Sequence, residues 1–237
     1  MAVDILYPRR CPLCGDIVVP KDNLVCKHCS NAIKPLAEPR CKKCSKPLSC
    51  EEQEFCYDCV KSHHHYSKGY AAFLYDDLFR KSLSEFKYKS KKEYCDFYVK
   101  EIVKQFGGKI HKLNPNALIP VPLHSHKQRR RGFNQAELLA KGIGRDLSLP
   151  VITDLLIRKK DTIPQKELSN MDRLKNLNQA FDISLKYQKL SGLGLNRIML
   201  VDDIYTTGST IEACTNVLIK AGCIEVYFVT VCIGKGF

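Results

Sequence analysis

Cys11, Cys14, Cys26, Cys29, Cys41, Cys44, Cys56 and Cys59 form four Cys-x-x-Cys pairs whose first members recur every 15 residues. Two such turns can deliver four thiolates to one tetrahedral Zn²⁺ at Zn–S distances of about 2.3 Å. The segment has few apolar side chains, so metal binding and folding are expected to be coupled there. Equal gaps leave the pairing open, and the flanking residues narrow it. Pro8-Arg9-Arg10 precedes Cys11 much as Pro39-Arg40 precedes Cys41, and the small residues Gly15 and Ser45 follow the two pairs. Val25 precedes Cys26 as Phe55 precedes Cys56. The likeness therefore repeats every 30 residues and predicts two sequential ribbons, 11/14/26/29 and 41/44/56/59. Four thiolates complete each set, which makes both Zn²⁺ ions structural. His28 is left to shield its knuckle, and His63-His64-His65 is expected to form a polar hinge.

At 237 residues, the chain has room for one medium domain and a small appendage. The expected division is 1–65 for the ribbons and 66–237 for the rest. Paired thiols without an export signal bind metal more often than they form bridges. Cys50, Cys95, Cys214, Cys223 and Cys232 fit no pair and are expected to act as small buried hydrophobes. Val226–Ile233 is far shorter than the ~20 residues that span a bilayer, and Asp4, Arg9 and Arg10 interrupt the N-terminal apolar stretch. The expectation is therefore a cytoplasmic protein with no transmembrane segment and no signal peptide. The net charge of +13 is unevenly spread: +2 over 1–65, +5 over 66–119, +6 over 120–175 and zero over 176–237. Basic excess in the middle of the chain points to an anionic partner there, a phosphorylated metabolite or a nucleic acid.

From Gly69 onward, short apolar runs alternate with amphipathic segments, the pattern of βα units around a parallel sheet. Strands are expected at Gly69–Leu74, Ala117–Val121, Val151–Ile157, Arg197–Val201 and Glu225–Ile233. Helices are expected at Asp77–Lys87, Glu93–Phe106, Asn134–Leu147, Gln165–Leu177 and Ser209–Ala221. The most specific segment runs from Ile198 to Thr210: a buried strand ends in Asp202-Asp203, and a Thr206-Thr207-Gly208 turn opens a helix. Backbone N–H groups and hydroxyls at a helix N-terminus suit a phosphate dianion. Two carboxylates at a strand's carboxyl end suit ribose hydroxyls or a hydrated Mg²⁺. The turn lacks the Gly-Lys-Ser/Thr ending of a Walker A loop and the Gly-x-Gly-x-x-Gly of a dinucleotide fold.

That string resembles the phosphoribosyl-pyrophosphate (PRPP) motif of type I phosphoribosyltransferases. A second stretch, Pro120-Val121-Pro122-Leu123-His124 through Arg130-Arg131-Gly132-Phe133-Asn134-Gln135-Ala136, narrows the resemblance to the competence-associated ComF family. Thr162, Gln165, Leu168, Arg173, Asn176 and Ala180-Phe181 are similar to a further block of that family, and the cysteine ribbons fit it too. The resemblance implies a type I phosphoribosyltransferase-like α/β fold, a parallel sheet with flanking helices, behind a small zinc-ribbon domain. It implies that Asp202 and Asp203 contact the ribose of PRPP-Mg²⁺. Thr206, Thr207, Gly208, Ser209 and Thr210 would cradle the 5′-phosphate, with Pro122 and Leu123 lining the same site.

On their own chemistry, Pro120 and Pro122 stiffen a turn at a strand exit. His124, His126, Lys127, Arg129, Arg130 and Arg131 then place cations beside a diphosphate or along a nucleic-acid backbone. The segment Arg158 to Asn176 is expected to close as a hood, with Arg173 reaching the ligand. Phe133, Tyr88, Tyr94 and Phe97 lie among basic residues and could stack bases, although core roles are expected for the last two. Thr206 stands where purine-salvage relatives carry a general-base carboxylate, which argues against purine salvage. The favoured reading is a protein of DNA uptake and transformation that binds PRPP-Mg²⁺ and single-stranded DNA and works with a competence helicase or other DNA-processing proteins. The alternatives are a nucleotide-metabolism phosphoribosyltransferase acting on another acceptor and a PRPP-sensing regulator without turnover.

Overall fold

The computed structural model describes residues 8–159, 180–187 and 190–235. Within each ribbon, a tight turn and a short helix present the two knuckles. The Cys11 N–H donates to the Asp16 carbonyl at 2.7 Å, and the Cys41 N–H donates to the Lys46 carbonyl at 2.7 Å. The parallel extends to the backbone, because Gly15 and Ser45 both adopt positive φ, 85° and 70°. Helix α1 (Lys27–Ala32) starts from Cys26 as its N-cap, and α2 (Tyr57–Lys61) starts from Cys56. The small residues noted after each pair therefore occupy equivalent left-handed turn positions.

The remaining elements are β1 (Lys68–Leu74), α3 (Asp77–Tyr88), α4 (Tyr94–Leu113), β2 (Ala117–Pro120), α5 (Ser125–Arg131), α6 (Gln135–Leu147), β3 (Leu156–Arg158), β4 (Phe181–Ile183), β5 (Arg197–Tyr205), α7 (Ser209–Lys220) and β6 (Glu225–Ile233). The described strands of the main sheet run β1-β6-β5-β2, all parallel. Helices cover both faces, as a parallel sheet requires. Leu139, Ala140, Ile143 and Leu147 of α6 join α3 and α4 over Met199 and Val201. Ile211, Ala213, Cys214 and Leu218 of α7 pack over Ile198 and Leu200 on the other face. The parallel α/β sheet with flanking helices, preceded by a ribbon module, is thus the observed architecture.

The expected strand at Val151–Ile157 is not continuous. Val151 makes only an isolated parallel bridge to Leu118, and the chain then turns so that β3 pairs antiparallel with β4 in a separate ribbon. Asp154 causes the break by accepting from the Tyr187 hydroxyl at 2.9 Å and from Lys186 Nζ at 2.8 Å. The basic run Ser125–Arg131, which follows the turn at Pro120 and Pro122, forms helix α5. The expected helix at Gln165–Leu177 lies outside the described residues. Cys95, Cys214, Cys223 and Cys232 are buried as expected, but Cys50 is exposed. It sits in the polar turn between the second ribbon's knuckles, away from the apolar cluster.

The second ribbon seats on the sheet's edge strand. The Gly69 N–H of β1 donates to the Lys43 carbonyl at 2.7 Å, and Ser45 Oγ donates to the Gly69 carbonyl at 2.8 Å. An open edge is thereby covered. Tyr66 meets Phe228 edge-to-face at 5.0 Å, and Tyr205 stacks on the same ring at 4.8 Å. Phe228 is fully buried between ribbon and sheet. Phe228→Ala should cost about 3–5 kcal/mol of stability, read as a lowered midpoint in urea unfolding.

Candidate functional site

The eight knuckle cysteines gather into two groups, Cys11/Cys14/Cys26/Cys29 and Cys41/Cys44/Cys56/Cys59, the sequential pairing expected from the flanks. Within each group the sulfurs lie within 4.8 Å of one another. Cys14 Sγ is 3.7 Å from Cys26 Sγ, and Cys44 Sγ is 3.6 Å from Cys56 Sγ. A tetrahedron with Zn–S bonds of about 2.3 Å has edges of about 3.8 Å, so the donor sets fit Zn²⁺. All four sulfur-bearing residues of the second group are buried, whereas Cys14 and Cys26 of the first are half-buried. Among the described residues no other group of His, Cys, Asp and Glu converges in this way.

His63-His64-His65 does not behave as a loose hinge. His64 is buried and stacks on Tyr66 at 5.0 Å, and the His65 backbone N–H donates to Glu212 Oε2 of α7 at 2.9 Å. Burial acts to raise the Glu212 carboxyl, but hydrogen bonds from His64 and His65 outweigh it and hold the group below its usual range. The segment after the ribbons is therefore clasped to the first turn of α7. A chain of contacts continues from the second cysteine group: Cys59 Sγ lies 3.8 Å from the Tyr66 hydroxyl, which lies 2.7 Å from the Tyr205 hydroxyl.

Tyr205 ends β5 and lies directly under the phosphate-type turn. Gly208 has φ 84° and forms the N-cap of α7. A Cβ placed there would come within 2.4 Å of the Tyr205 hydroxyl, so only glycine fits. Thr206 and Thr207 are exposed, and Ser209 and Thr210 are half-buried. Thr207 Oγ1 and Ser209 Oγ lie 2.9 Å apart across the turn. The hydroxyls and first-turn N–H groups form a rim of donors of the kind that suits an anion.

This rim lies at a topological switch point. The helix leaving β5 crosses one face of the sheet and the helices leaving β2 cross the other, the arrangement in which open α/β sheets bind ligands beyond the strands' carboxyl ends. Pro122 and Leu123 are half-buried at the exit of neighbouring β2. The Val121 N–H donates to the Val201 carbonyl at 2.9 Å, and Asn134 Nδ2 donates to the Val121 carbonyl at 3.0 Å. Asn134 also caps α6 by accepting from the Ala136 N–H at 3.1 Å, while Gly132 ends α5 at φ 76°. Phe133 is buried beside Phe86, so it fills the core rather than offering a stacking face. Tyr94 and Phe97 are buried core residues as well.

Lys127, Arg129 and Arg130 are exposed on α5. Arg131 is held more firmly: Nη1 donates to Gln135 Oε1 at 2.9 Å and Nη2 to the Tyr88 hydroxyl at 2.9 Å. The Arg130 and Arg131 guanidiniums lie 5.3 and 4.8 Å from the Tyr88 ring centre. Partial burial and the charges of Arg158, Arg131 and Arg130 lower the proton affinity of Lys127, which places β3 beside the same basic patch. Arg173 lies outside the described residues.

The two aspartates lie inside β5, which runs past its expected end at Val201 to Tyr205. Asp202 Oδ1 accepts from the Asp203 N–H at 2.8 Å. Part of Asp202 remains accessible, but burial, followed by the Asp203 charge, pushes its carboxyl up to about 8. Asp203 is ion-paired with Lys87, from the last turn of α3. The sequence reading missed Lys87, Tyr66, Tyr205 and Glu212. The only signal for Lys87 was the general need of a buried acidic pair for a cation, which does not say which lysine supplies it.

A family model described as "Double zinc ribbon domain" matches residues 2–60. Competence protein F of Haemophilus influenzae is 40% identical over 117 residues, 49% of this chain and 50% of the relative. Competence protein ComFC of Bacillus subtilis is 29% identical over 153 residues, 64% of this chain and 58% of the relative. DNA utilization protein YhgH of Escherichia coli K12 is 32% identical over 118 residues, 50% of this chain and 49% of the relative. The chain thus spans about half the length of the curated relatives it matches. No helix among the described residues is long and apolar enough to cross a membrane.

The purified protein should carry two Zn²⁺ per chain by elemental analysis, falling to one in Cys44→Ser. Loss of the buried second site should lower the melting temperature more than Cys14→Ser does. The raised carboxyl of Asp202 also has a definite sign. Between its unfolded value of 3.8 and the folded value of about 8, the native state holds a proton that the unfolded chain has lost. This group therefore makes stability fall as pH rises through that window. Asp202→Asn should remove the loss, so its gain in melting temperature over wild type should be larger at pH 9 than at pH 5.

Proposed function

Because the chain belongs to the ComF family, we propose that it serves DNA uptake by binding PRPP in the β5–α7 crevice and single-stranded DNA along the adjoining basic helix. In this reading residues 1–65 form the ribbon module and 66–237 the ligand-binding domain. The observation that carries it is the shared carboxyl end of β5 and β2. β2 and β5 pair in parallel with Pro120 beside Val201, so the Thr206–Gly208 turn that follows β5 and helix α5 that follows β2 leave the sheet at the same end. Rim hydroxyls and N–H groups would take the 5′-phosphate. Asp202 and Asp203 would take ribose hydroxyls. The diphosphate would extend toward Pro122 and Leu123, and any Mg²⁺ would travel with it.

Lys127, Arg129 and Arg130 on α5, with Tyr88 beside them, supply the two ingredients of sequence-tolerant single-strand binding: backbone-tracking cations and an aromatic face. The curated relatives are described as competence and DNA utilization proteins, which favours DNA over RNA as the strand. Thr206 places no carboxylate in the turn to assist a purine base, which favours ligand binding over purine salvage. DNA-processing proteins of the uptake machinery are the partners this reading implies.

Asp202→Leu, which keeps the side-chain volume but removes its oxygens, should weaken PRPP binding at least tenfold by calorimetry, a loss of about 1.4 kcal/mol. Unchanged affinity would refute the pocket. Lys127→Glu with Arg129→Glu should weaken binding of a labelled single-stranded oligonucleotide. Losing two phosphate contacts should also flatten its log–log salt slope by about 1.4. If the slope stays the same, α5 is not the DNA contact.

A further inference from the structure

On their own chemistry the two carboxylates of β5 suit either ribose hydroxyls or a hydrated Mg²⁺, and the surroundings of Asp203 disfavour the metal. A Mg²⁺ ion needs hard anionic oxygens in near-octahedral array. Asp203 Oδ2 accepts no hydrogen bond among the described residues but is ion-paired with Lys87 Nζ, and the two side chains are only 12% and 15% exposed. Phe86 before Lys87 is fully buried against Tyr98 and Phe133, which fixes the backbone from which the lysine reaches Asp203. Burial, followed by the Asp203 charge, raises the Asp202 carboxyl and so disfavours a second anion beside Asp203. A divalent ion would have to displace a nearly buried ammonium and strand it unpaired, the costly way to break such a pair.

We propose that Lys87 is the resident counter-cation of the acidic pair, so that this chain grips a sugar phosphate without a divalent metal on its own carboxylates. Ribose hydroxyls are neutral donors, and a carboxylate that already carries an ammonium retains lone pairs to accept them. A divalent ion then enters only as part of a diphosphate ligand, chelated by the ligand's own oxygens. The inference rests on the pocket reading above and assigns its charge balance to a residue of α3.

Ribose 5-phosphate separates the two ideas, because it keeps the sugar and the phosphate but lacks the chelating diphosphate. Calorimetric titration of the full chain should give the same affinity, within about threefold, in EDTA and in excess Mg²⁺. Lys87→Met should weaken binding about tenfold or more in EDTA and recover part of the loss when Mg²⁺ is added, since the uncovered Asp203 carboxylate can then take the metal. Lys87→Arg should behave like wild type. Wild-type binding that appears only with Mg²⁺ would overturn the inference while leaving the pocket standing, as would a folded Lys87→Met that binds in EDTA without loss. Absence of binding in both conditions would overturn the pocket reading and this inference together.

Discussion

The Tyr205 hydroxyl occupies the space that a side chain at residue 208 would need, and this contact fixes the turn between β5 and α7. Gly208 can take its left-handed conformation and let the chain pass closely over the ring. The first-turn N–H groups of α7 then point out of the sheet's carboxyl end. Tyr205 is itself held by the Tyr66 hydroxyl at 2.7 Å and by the stacked ring of Phe228. Burial pushes both phenols well above their ordinary range, so they stay protonated and can keep that hydrogen bond. The turn thus rests on a rigid aromatic stack rather than on loop residues.

The same stack explains why a metal module accompanies an α/β sheet. The second cysteine group lies in one continuous apolar cluster with Tyr66, Tyr205 and Phe228, and Lys43 and Ser45 bond directly to edge strand β1. Buried Lys46 pairs with Asp58 inside the same ribbon and lies 5.9 Å from the Tyr205 ring centre. The first group joins the cluster on the opposite face, where Arg9 reaches Asp96 of α4 at 3.2 Å. Each ribbon is therefore fastened to its own face of the sheet. The His64–His65–Glu212 clasp adds a third fastening, at the start of α7. The second cysteine group and the turn after β5 are joined by contacts through Tyr66 and Tyr205.

What was legible in the sequence was local. The 30-residue likeness gave the cysteine pairing because ligand spacing and the Gly15/Ser45 turns are short-range properties. Strand β6 was read with its observed limits, since its apolar run is bounded on both sides, and α7 was read to within one residue at its C-terminus. The failures share one cause, a partner distant in the chain. Asp154 breaks the run that begins at Val151 because Lys186 and Tyr187 come to meet it. The histidine run is polar in composition, yet it is fastened in place by Glu212. Cys50 looked like the other unpaired cysteines, but its side chain is exposed in the turn between two knuckles. Asp202 and Asp203 were legible as a pair, whereas the cation that balances them lies on α3, where nothing in the surrounding residues distinguishes Lys87 from Lys81 or Lys89.

The account turns on the crevice between β5 and α7 being a sugar-phosphate site. The most direct measurement is the backbone amide NMR spectrum of the isotope-labelled protein during a titration with PRPP. The account predicts that the largest shifts fall on residues 206–210, with smaller ones at Leu123 and Asp203, and that the ribbon amides stay put. Saturable shifts centred elsewhere, or a spectrum in which residues 206–210 do not move, would contradict it.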